Sequence, residues 1–470
     1  MLLSQKTPNA LGLAMNVRLD FKAHKKAIEN INRKANGLIK LIQEIHLVSG
    51  NGDPFKSERP VGRAITQDDL VGEPICRSET ADGSYAISFL FLDGIPYGLK
   101  GEDVQKLDDL VSALASNEII SKTASDECIE GIIFDWLRAR KRQSTRKWFW
   151  TYFKEDLQSK VQISQVYVPI DGLETEVSWA FGNVTFLPLG KSLFDKWEAK
   201  CLSFTSTQDD DVTPLFKKMR TDMQGLATLR IDVLAEPRYA DQVAFEIAGR
   251  VCDALRLFSP QRYTITNRST CAPLGTSIRP QSHIITISGD DGFSYSNSAL
   301  DRSGQFWRMS QEYFQKMQVN NFDRVLQLAI AGPSNDFEEH VWKSICAFSK
   351  SLTPVDIEDR LAFRVSSLES MLLKSNSEPI GTMVGERMAF LLGKKAKSRQ
   401  EIVKNFKEIY KMRSDYVHHR KTRNDLYDME HFAYLAWQAI QTLLHNIQNF
   451  SKKQDFFEAV EDLRYGGSGS

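Results

Sequence analysis

Beyond residue 320 the chain shows no alternating strand pattern, and its apolar residues recur at helical spacing between capping signals. In the last long run Met429, Phe432, Ala436, Ile440, Leu443, Ile447 and Phe450 form one continuous apolar stripe. A helix with such a stripe has to be packed against others, so an all-helical domain is expected over residues 319–465. Thr353-Pro354 reads as one helix start, with a capping residue and proline at the first helical position. Gly393 reads as a helix end, Ser398-Arg399-Gln400-Glu401 as a capping box, and Asn424 or Asp425 as the cap of the last long helix.

Upstream the pattern is mixed. Asn16–Val48 carries Leu19, Ala23, Ala27, Ile31, Ala35, Leu38 and Ile42 at helical spacing, which predicts one long helix. Residues 50–83 read as a loop, and Ser84–Leu92 as a buried strand followed by helices near 102–117 and 127–142. Lys160–Ile170 alternates as a strand, and Glu176–Phe181 and Val184–Leu187 meet across Gly182-Asn183 as a hairpin. Further strands are expected at Ala227–Leu234 and His283–Ile287, with a helix over 238–257. The fold class is therefore α+β and multidomain. Mixed α/β regions over 1–157 and 158–318 precede the C-terminal helical bundle, and Gly466–Ser470 reads as an appended linker.

With 470 residues, 42% hydrophobic and 26% charged, the chain is too long and too apolar for a single small module or bulk disorder. Sixty basic residues balance sixty acidic ones, so polyanions can be attracted only by local patches. The six cysteines lie far apart with no C-x-x-C pair, which suits reduced, packed thiols rather than a zinc site. No basic leader and no run of about 20 apolar residues occurs, and a soluble cytoplasmic protein is expected.

One residue interrupts the helical pattern. The stripe Ile402, Phe406, Ile409 continues at Arg413 before Val417, placing a guanidinium where an apolar side chain belongs. Such an arginine meets a carboxylate, opens onto a groove that receives anions, or snorkels to water from a fraying helix end. The local string Arg413-Ser414-Asp415-Tyr416-Val417-His418-His419 adds an imidazole. Histidine takes and gives a proton near neutrality, and arginine stays charged and matches phosphate oxygens with a planar fork. Together they suit transesterification of RNA, in which the ribose 2′-OH attacks the adjacent phosphorus without a metal.

Ser367-Leu-Glu369-Ser-Met-Leu-Leu373, Gly385-Glu-Arg387-Met-Ala-Phe-Leu-Leu-Gly393 and Ile409-Tyr-Lys-Met-Arg413-Ser-Asp-Tyr-Val-His418 together resemble the Apea-like branch of the HEPN superfamily. The resemblance covers residues 361–419. It implies a helical bundle that dimerises so that two R-x(4–6)-H motifs face one RNA-cutting cleft, with service in prokaryotic anti-phage defence, abortive infection or toxin systems. Arg413 and His418 would then be catalytic, His418 as general base or acid and Arg413 as phosphate clamp, oriented by Ser414 and Asp415. His419 also fits the permitted spacing. A tRNA substrate is the expectation the resemblance suggests, and no cofactor or metal is expected. The alternative is a non-catalytic HEPN-like module that binds nucleic acid or protein and signals by assembly.

Glu369 borders the series Leu361, Val365, Leu368, Leu372, from which it either reaches inward to Arg413 or remains an ordinary border carboxylate. Between Lys394 and Arg423 eleven Lys/Arg stand against three acids, which marks Lys411, His419, Arg420, Lys421 and Arg423 as RNA-contact candidates. A second patch over Arg138–Lys154 has seven basic residues, no acid and five interleaved aromatics. It suggests base stacking at Trp148 with Arg140, Lys141 and Arg142, or else aromatics that simply face a core. No glycine pattern for a dinucleotide or a P-loop occurs. Asp209-Asp210-Asp211, in the polar run Thr205–Thr213, reads as a solvated loop before a metal site. The first two regions are expected to sense a trigger, such as a phage product, or to restrain the nuclease.

Overall fold

A computed structural model describes residues 19–45, 76–79, 86–92, 95–204, 209–278, 281–288, 292–299, 304–375, 377–420 and 425–464. The chain is mixed α+β and divides into two compact units, 1–164 with 232–242, and 165–231 with 243–470. Among the described residues no helix is long and apolar enough to cross a membrane.

The first unit contains helix α1 (Lys25–Ile39), strands β1 (Gln43–Glu44), β2 (Cys76–Glu79), β3 (Ala86–Leu92) and β4 (Ile95–Lys100), and helices α2 (Glu102–Ala115), α3 (Asp126–Lys141) and α4 (Phe149–Lys160). Its sheet has the order β1-β4-β3-β2. The helix expected over Asn16–Val48 is shorter at both ends within the described part. His24 stands in extended conformation and accepts the Lys26 N–H on Nδ1 at 3.3 Å, which starts α1 there. At the other end Gln43 and Glu44 pair with Gly98 and Tyr97, so sheet formation takes residues that the periodicity assigned to the helix. Ile31, Ala35 and Leu38 enter a core shared with α2, α3 and α4. Phe149, Trp150 and Phe153 lie in that core too, with Trp136 and Phe149 ring centroids 5.2 Å apart.

From Gln162 onward the chain builds a further sheet with interspersed helices. Strands β5 (Gln162–Thr175), β6 (Trp179–Phe181) and β7 (Val184–Pro188) are followed by α5 (Lys191–Phe204), α6 (Asp209–Met223), β8 (Leu226–Ala235) and α7 (Pro237–Phe258). Next come β9 (Arg268–Ser269), β10 (Ala272–Pro273), β11 (Gln281–Ser288), β12 (Gly292–Ala299), β13 (Gly304–Gln305) and β14 (Trp307–Met309). The main sheet runs β10-β5-β8-β7-β6, with β14 parallel to β5. The hairpin over Gly182-Asn183 forms as its sequence predicts, pairing Trp179 with Phe186 and Phe181 with Val184, with Gly182 at φ 58°. The aspartates at 209–211 open helix α6 rather than standing in a loop; residues 205–208 lie outside the described residues.

Among the described residues eight α-helices follow: α8 (Gln311–Val319), α9 (Phe322–Ala331), α10 (Asp336–Lys350), α11 (Ile357–Leu372), α12 (Ile380–Leu392), α13 (Ala396–His419), α14 (Leu426–His445) and α15 (Lys453–Arg464). The stripe of α14 is buried as expected from Met429 to Leu443, and Asp425 caps it by accepting the Asp428 N–H at 3.4 Å. Asn424 lies outside the described residues.

Two expected helix starts move. α11 begins at Ile357, not at Thr353-Pro354, because the Arg360 guanidinium captures the Pro354 and Val355 carbonyls at 2.7 Å each, while Thr353 Oγ1 donates back to Lys350. α13 begins at Ala396. Ser398 therefore sits inside its first turn and donates to the Lys395 carbonyl at 3.0 Å instead of capping. Gly393 does close α12, at φ −89°, where a Cβ would stand 2.7 Å from Arg399 Cγ.

α11 and α14 grip the segment that follows α7. Arg360 donates to the Ile265 and Thr266 carbonyls at 2.8 and 2.7 Å, and Arg364 to that of Thr264 at 2.8 Å. Glu430 of α14 accepts the Ile265 and Thr266 amides at 3.0 and 3.2 Å. Burial pushes the Arg364 guanidinium down to about 9.

Candidate functional site

α13 carries the arginine–histidine motif, and its inner face is set by two glycines of α12. A Cβ at Gly381 would stand 3.1 Å from Tyr410 Cδ1, and one at Gly385 3.3 Å from Phe406 Cδ1. The missing side chains let the two helices approach closely, and Ile402, Phe406 and Ile409 are buried there as the spacing predicts.

Arg413, next on that face, is half-buried. Its Nε is buried without a hydrogen-bond partner among the described residues, and its Cζ lies 6.0 Å from the Tyr410 ring centroid. Glu369 Oε1, on α11, is likewise buried and unpartnered. Burial raises the Glu369 carboxyl above the usual carboxylate range, and the charge of Arg413 partly opposes that rise. Glu369 is half-buried, and its Oε1 accepts no hydrogen bond from Arg413.

The two motif residues do not share a face. Five residues turn an α-helix by about 500°, so His418 projects about 140° from Arg413. In agreement with that rotation, Arg413 is half-buried and His418 exposed. His419 is exposed as well, its ring centroid 6.4 Å from that of His418, and Ser414 and Asp415 are half-buried. Within one chain, therefore, a phosphate held at Arg413 is not also presented to His418.

Two contacts fix the motif end, and the sequence reading singled out neither. Tyr416 Oη donates to Asp359 Oδ1 at 3.2 Å, fastening the last turn of α13 to the first turn of α11. Arg420 then closes α13 in the left-handed region, φ 52°, with its N–H directed at the Asp415 and Tyr416 carbonyls and its Cζ 5.3 Å from the Tyr416 ring. Lys421 and Arg423 lie outside the described residues.

The basic excess around the motif has a direction. Lys397, Lys404, Lys411 and His418 follow one another at intervals of seven, and all four are exposed. Seven residues are nearly two full turns, so the four fall in an arc of about 60° along about 31 Å of helix. Beside this row Arg399, Lys404, Lys407 and Arg464, with Glu386 and Glu408, line a groove of about 550 Å³. Lys397 and Lys404 are among the eleven basic residues of this run, and the seven-residue spacing singles them out beside Lys411 and His418. Arg387 of the glycine-flanked segment is a structural residue. Its guanidinium pairs with both Glu378 oxygens at 2.7 Å and donates to the Leu372 carbonyl at 2.6 Å.

The second patch comes apart. Phe149, Trp150 and Phe153 face the core, whereas Trp148 is 66% exposed at the start of α4. Arg140 lies 5.8 Å from the Trp136 ring and Lys141 3.4 Å from the Tyr97 ring; Lys141 and Arg142 are exposed. Three of the five aromatics are thus unavailable to stack on bases. Among the described residues no group of three or more His, Cys, Asp or Glu is placed to hold a metal ion, and all six cysteines are free thiols.

No family model, no curated protein and no solved structure matches this chain.

Proposed function

We propose that the C-terminal helices form a metal-independent endoribonuclease of HEPN type, serving as an effector of anti-phage defence by abortive infection. The observation that carries this reading is the row Lys397–Lys404–Lys411–His418, which leads a polyanion along α13 to an exposed imidazole on the same helix as the half-buried Arg413. In the reaction His418 takes the proton of a ribose 2′-OH, and the oxygen attacks the adjacent phosphorus. Arg413 holds the charged phosphorane, and the 5′-oxygen leaves with a proton from a second imidazole, yielding a 2′,3′-cyclic phosphate.

Because Arg413 and His418 diverge within one helix, the proposed unit is a homodimer in which each arginine works with the histidine of the other copy. Exposed Val417 before residues 421–424, and exposed Leu426 and Tyr427 after them, are apolar side chains suited to such a pairing. tRNA is the proposed substrate class, and the preceding regions are the proposed restraint. The test is incubation of purified protein with total RNA in EDTA. Discrete fragments ending in 2′,3′-cyclic phosphate are expected, and a 2′-deoxy sugar at the cleaved position should block the cut. Salt-sensitive binding without fragments, together with unchanged bacterial growth on overexpression, would replace the nuclease by a binding module.

A further inference from the structure

The groove of about 550 Å³ beside the lysine row is lined from α12, α13 and α15. Ala389, buried, and Phe390 and Val403, half-buried, are its apolar part, while Gln400, Lys404 and Lys407 are exposed along it. It lies on the histidine face of α13. Gln400 stands five full turns before His418, and Lys407, eleven residues before it, falls within about 20° of the same direction. Along the helix axis the two mark a stretch about 17–27 Å from the imidazole.

Arg399 is set in place there. Its Nε donates to the Gly393 carbonyl at 2.7 Å, and its Cζ lies 4.5 Å from the Phe390 ring centroid. A Cβ at Gly393 would stand 2.7 Å from Arg399 Cγ, so the glycine that ends α12 also makes room for this side chain. Neither Nη of Arg399 has a partner among the described residues, and the side chains of Gln400, Lys404 and Lys407 make no hydrogen bond or ion pair there. Arg464, by contrast, is engaged, its Nη2 meeting Glu386 Oε2 at 3.1 Å. Three cations with open valences thus face one uncommitted carboxylate, Glu408. A guanidinium laid on an aromatic ring and bonded through Nε offers its two Nη groups as a fork, which matches the oxygens of a phosphate.

We propose that this groove seats one unpaired nucleotide of the RNA that runs along α13, with its phosphate on the Arg399 fork, Lys404 and Lys407 and its base on Ala389, Phe390 and Val403. The volume is that of a small-ligand site. The inference deepens the ribonuclease reading, on which it rests for RNA as the ligand. It restricts the substrate to RNA that is single-stranded several nucleotides from the cut bond, because a base in a duplex enters the groove only by breaking its pair.

The test is fluorescence anisotropy of the full chain in EDTA with oligo(A), oligo(C) and oligo(U) of about twelve nucleotides and with the oligo(A)·oligo(U) duplex, each mixture then run on a gel for cleavage. At least one single strand should bind about tenfold more tightly than the duplex, although the duplex carries the denser charge. Arg399→Gln and Arg399→Lys should each weaken that strand about tenfold and shrink its advantage over the duplex, the lysine because it keeps the charge and lacks the fork. Lys407→Gln, at an exposed side chain that holds nothing in place, should shrink the advantage too and keeps the test open if the Arg399 variants fold poorly. Lys395→Gln, outside the groove, should leave it unchanged. A duplex bound as tightly as every single strand, or a preference untouched in both Arg399→Lys and Lys407→Gln, would overturn the proposal. The nuclease stands or falls separately. A preference that Arg399→Lys removes, with no product on the gel, supports the groove without the nuclease, whereas cleavage with the preference untouched in both variants removes the groove and keeps the nuclease.

Discussion

Glu369 on α11 and Arg413 on α13 are coupled through their charges while a buried polar atom of each, Oε1 and Nε, lacks a hydrogen-bond partner. An unpaired buried donor and acceptor are costly in a resting core and become useful when a third group, such as a phosphate oxygen, completes the guanidinium's bonding. That unmet bonding makes Arg413 the first residue to probe. Arg413→Ala is expected to lower RNA cleavage by about 10²–10³-fold, and Arg413→Lys to restore little, since an ammonium lacks the fork. Single-turnover rates at saturating protein measure both.

His418→Ala should reduce the same rate by about 10²–10⁴-fold, the range that positioned acid–base catalysis supplies. His419→Ala should leave most of the activity. The opposite ranking would move the proposed catalytic role to His419.

The lysine row makes a prediction about affinity rather than rate. Replacing Lys397, Lys404 and Lys411 together with glutamine should weaken binding of single-stranded RNA and flatten its salt dependence. The slope of log K against log salt should fall by about 0.7 for each lysine that contacts a phosphate. An unchanged slope would take the row out of the binding path.

Glu378 supplies a pH prediction. Its hydrogen bonds from Arg387, the largest cause, hold its carboxyl down at about 2. A carboxyl lowered by folding stabilises the folded state above its unfolded pKa, and that stabilisation disappears as pH falls from about 4.5 through 2. Glu378→Gln should therefore lower the urea midpoint at pH 7, with the gap to wild type closing across that acid window.

Arg420 occupies a left-handed position at the end of α13, where a non-glycine residue pays roughly 1 kcal/mol. Arg420→Gly should stabilise the protein by about that amount in urea unfolding. Its affinity for RNA should fall, because one cation of the proposed interface is removed.

Much of this was legible in the sequence. The buried face Ile402, Phe406, Ile409 and the stripe of α14 follow from periodicity, and the hairpin over Gly182-Asn183 from turn chemistry. What escaped was decided by partners distant in sequence or by side chains that override local caps. The true start of α11 depends on Arg360 reaching back to Pro354 and Val355, and the end of α1 on strand pairing with Gly98. The arginine–histidine motif was visible as a string, but the Tyr416–Asp359 fastening, between residues 57 apart in the chain, was not.

The grip on Thr264–Thr266 has a practical corollary. A truncated protein beginning at residue 319 would retain Arg360, Arg364 and Glu430 yet lose every peptide group upstream of it that they engage. Three charged side chains would be stranded beside an open seam. Anyone trimming the chain toward its C-terminal helices should keep α7 and the connection after it, and expect insoluble material from a cut at the first of those helices.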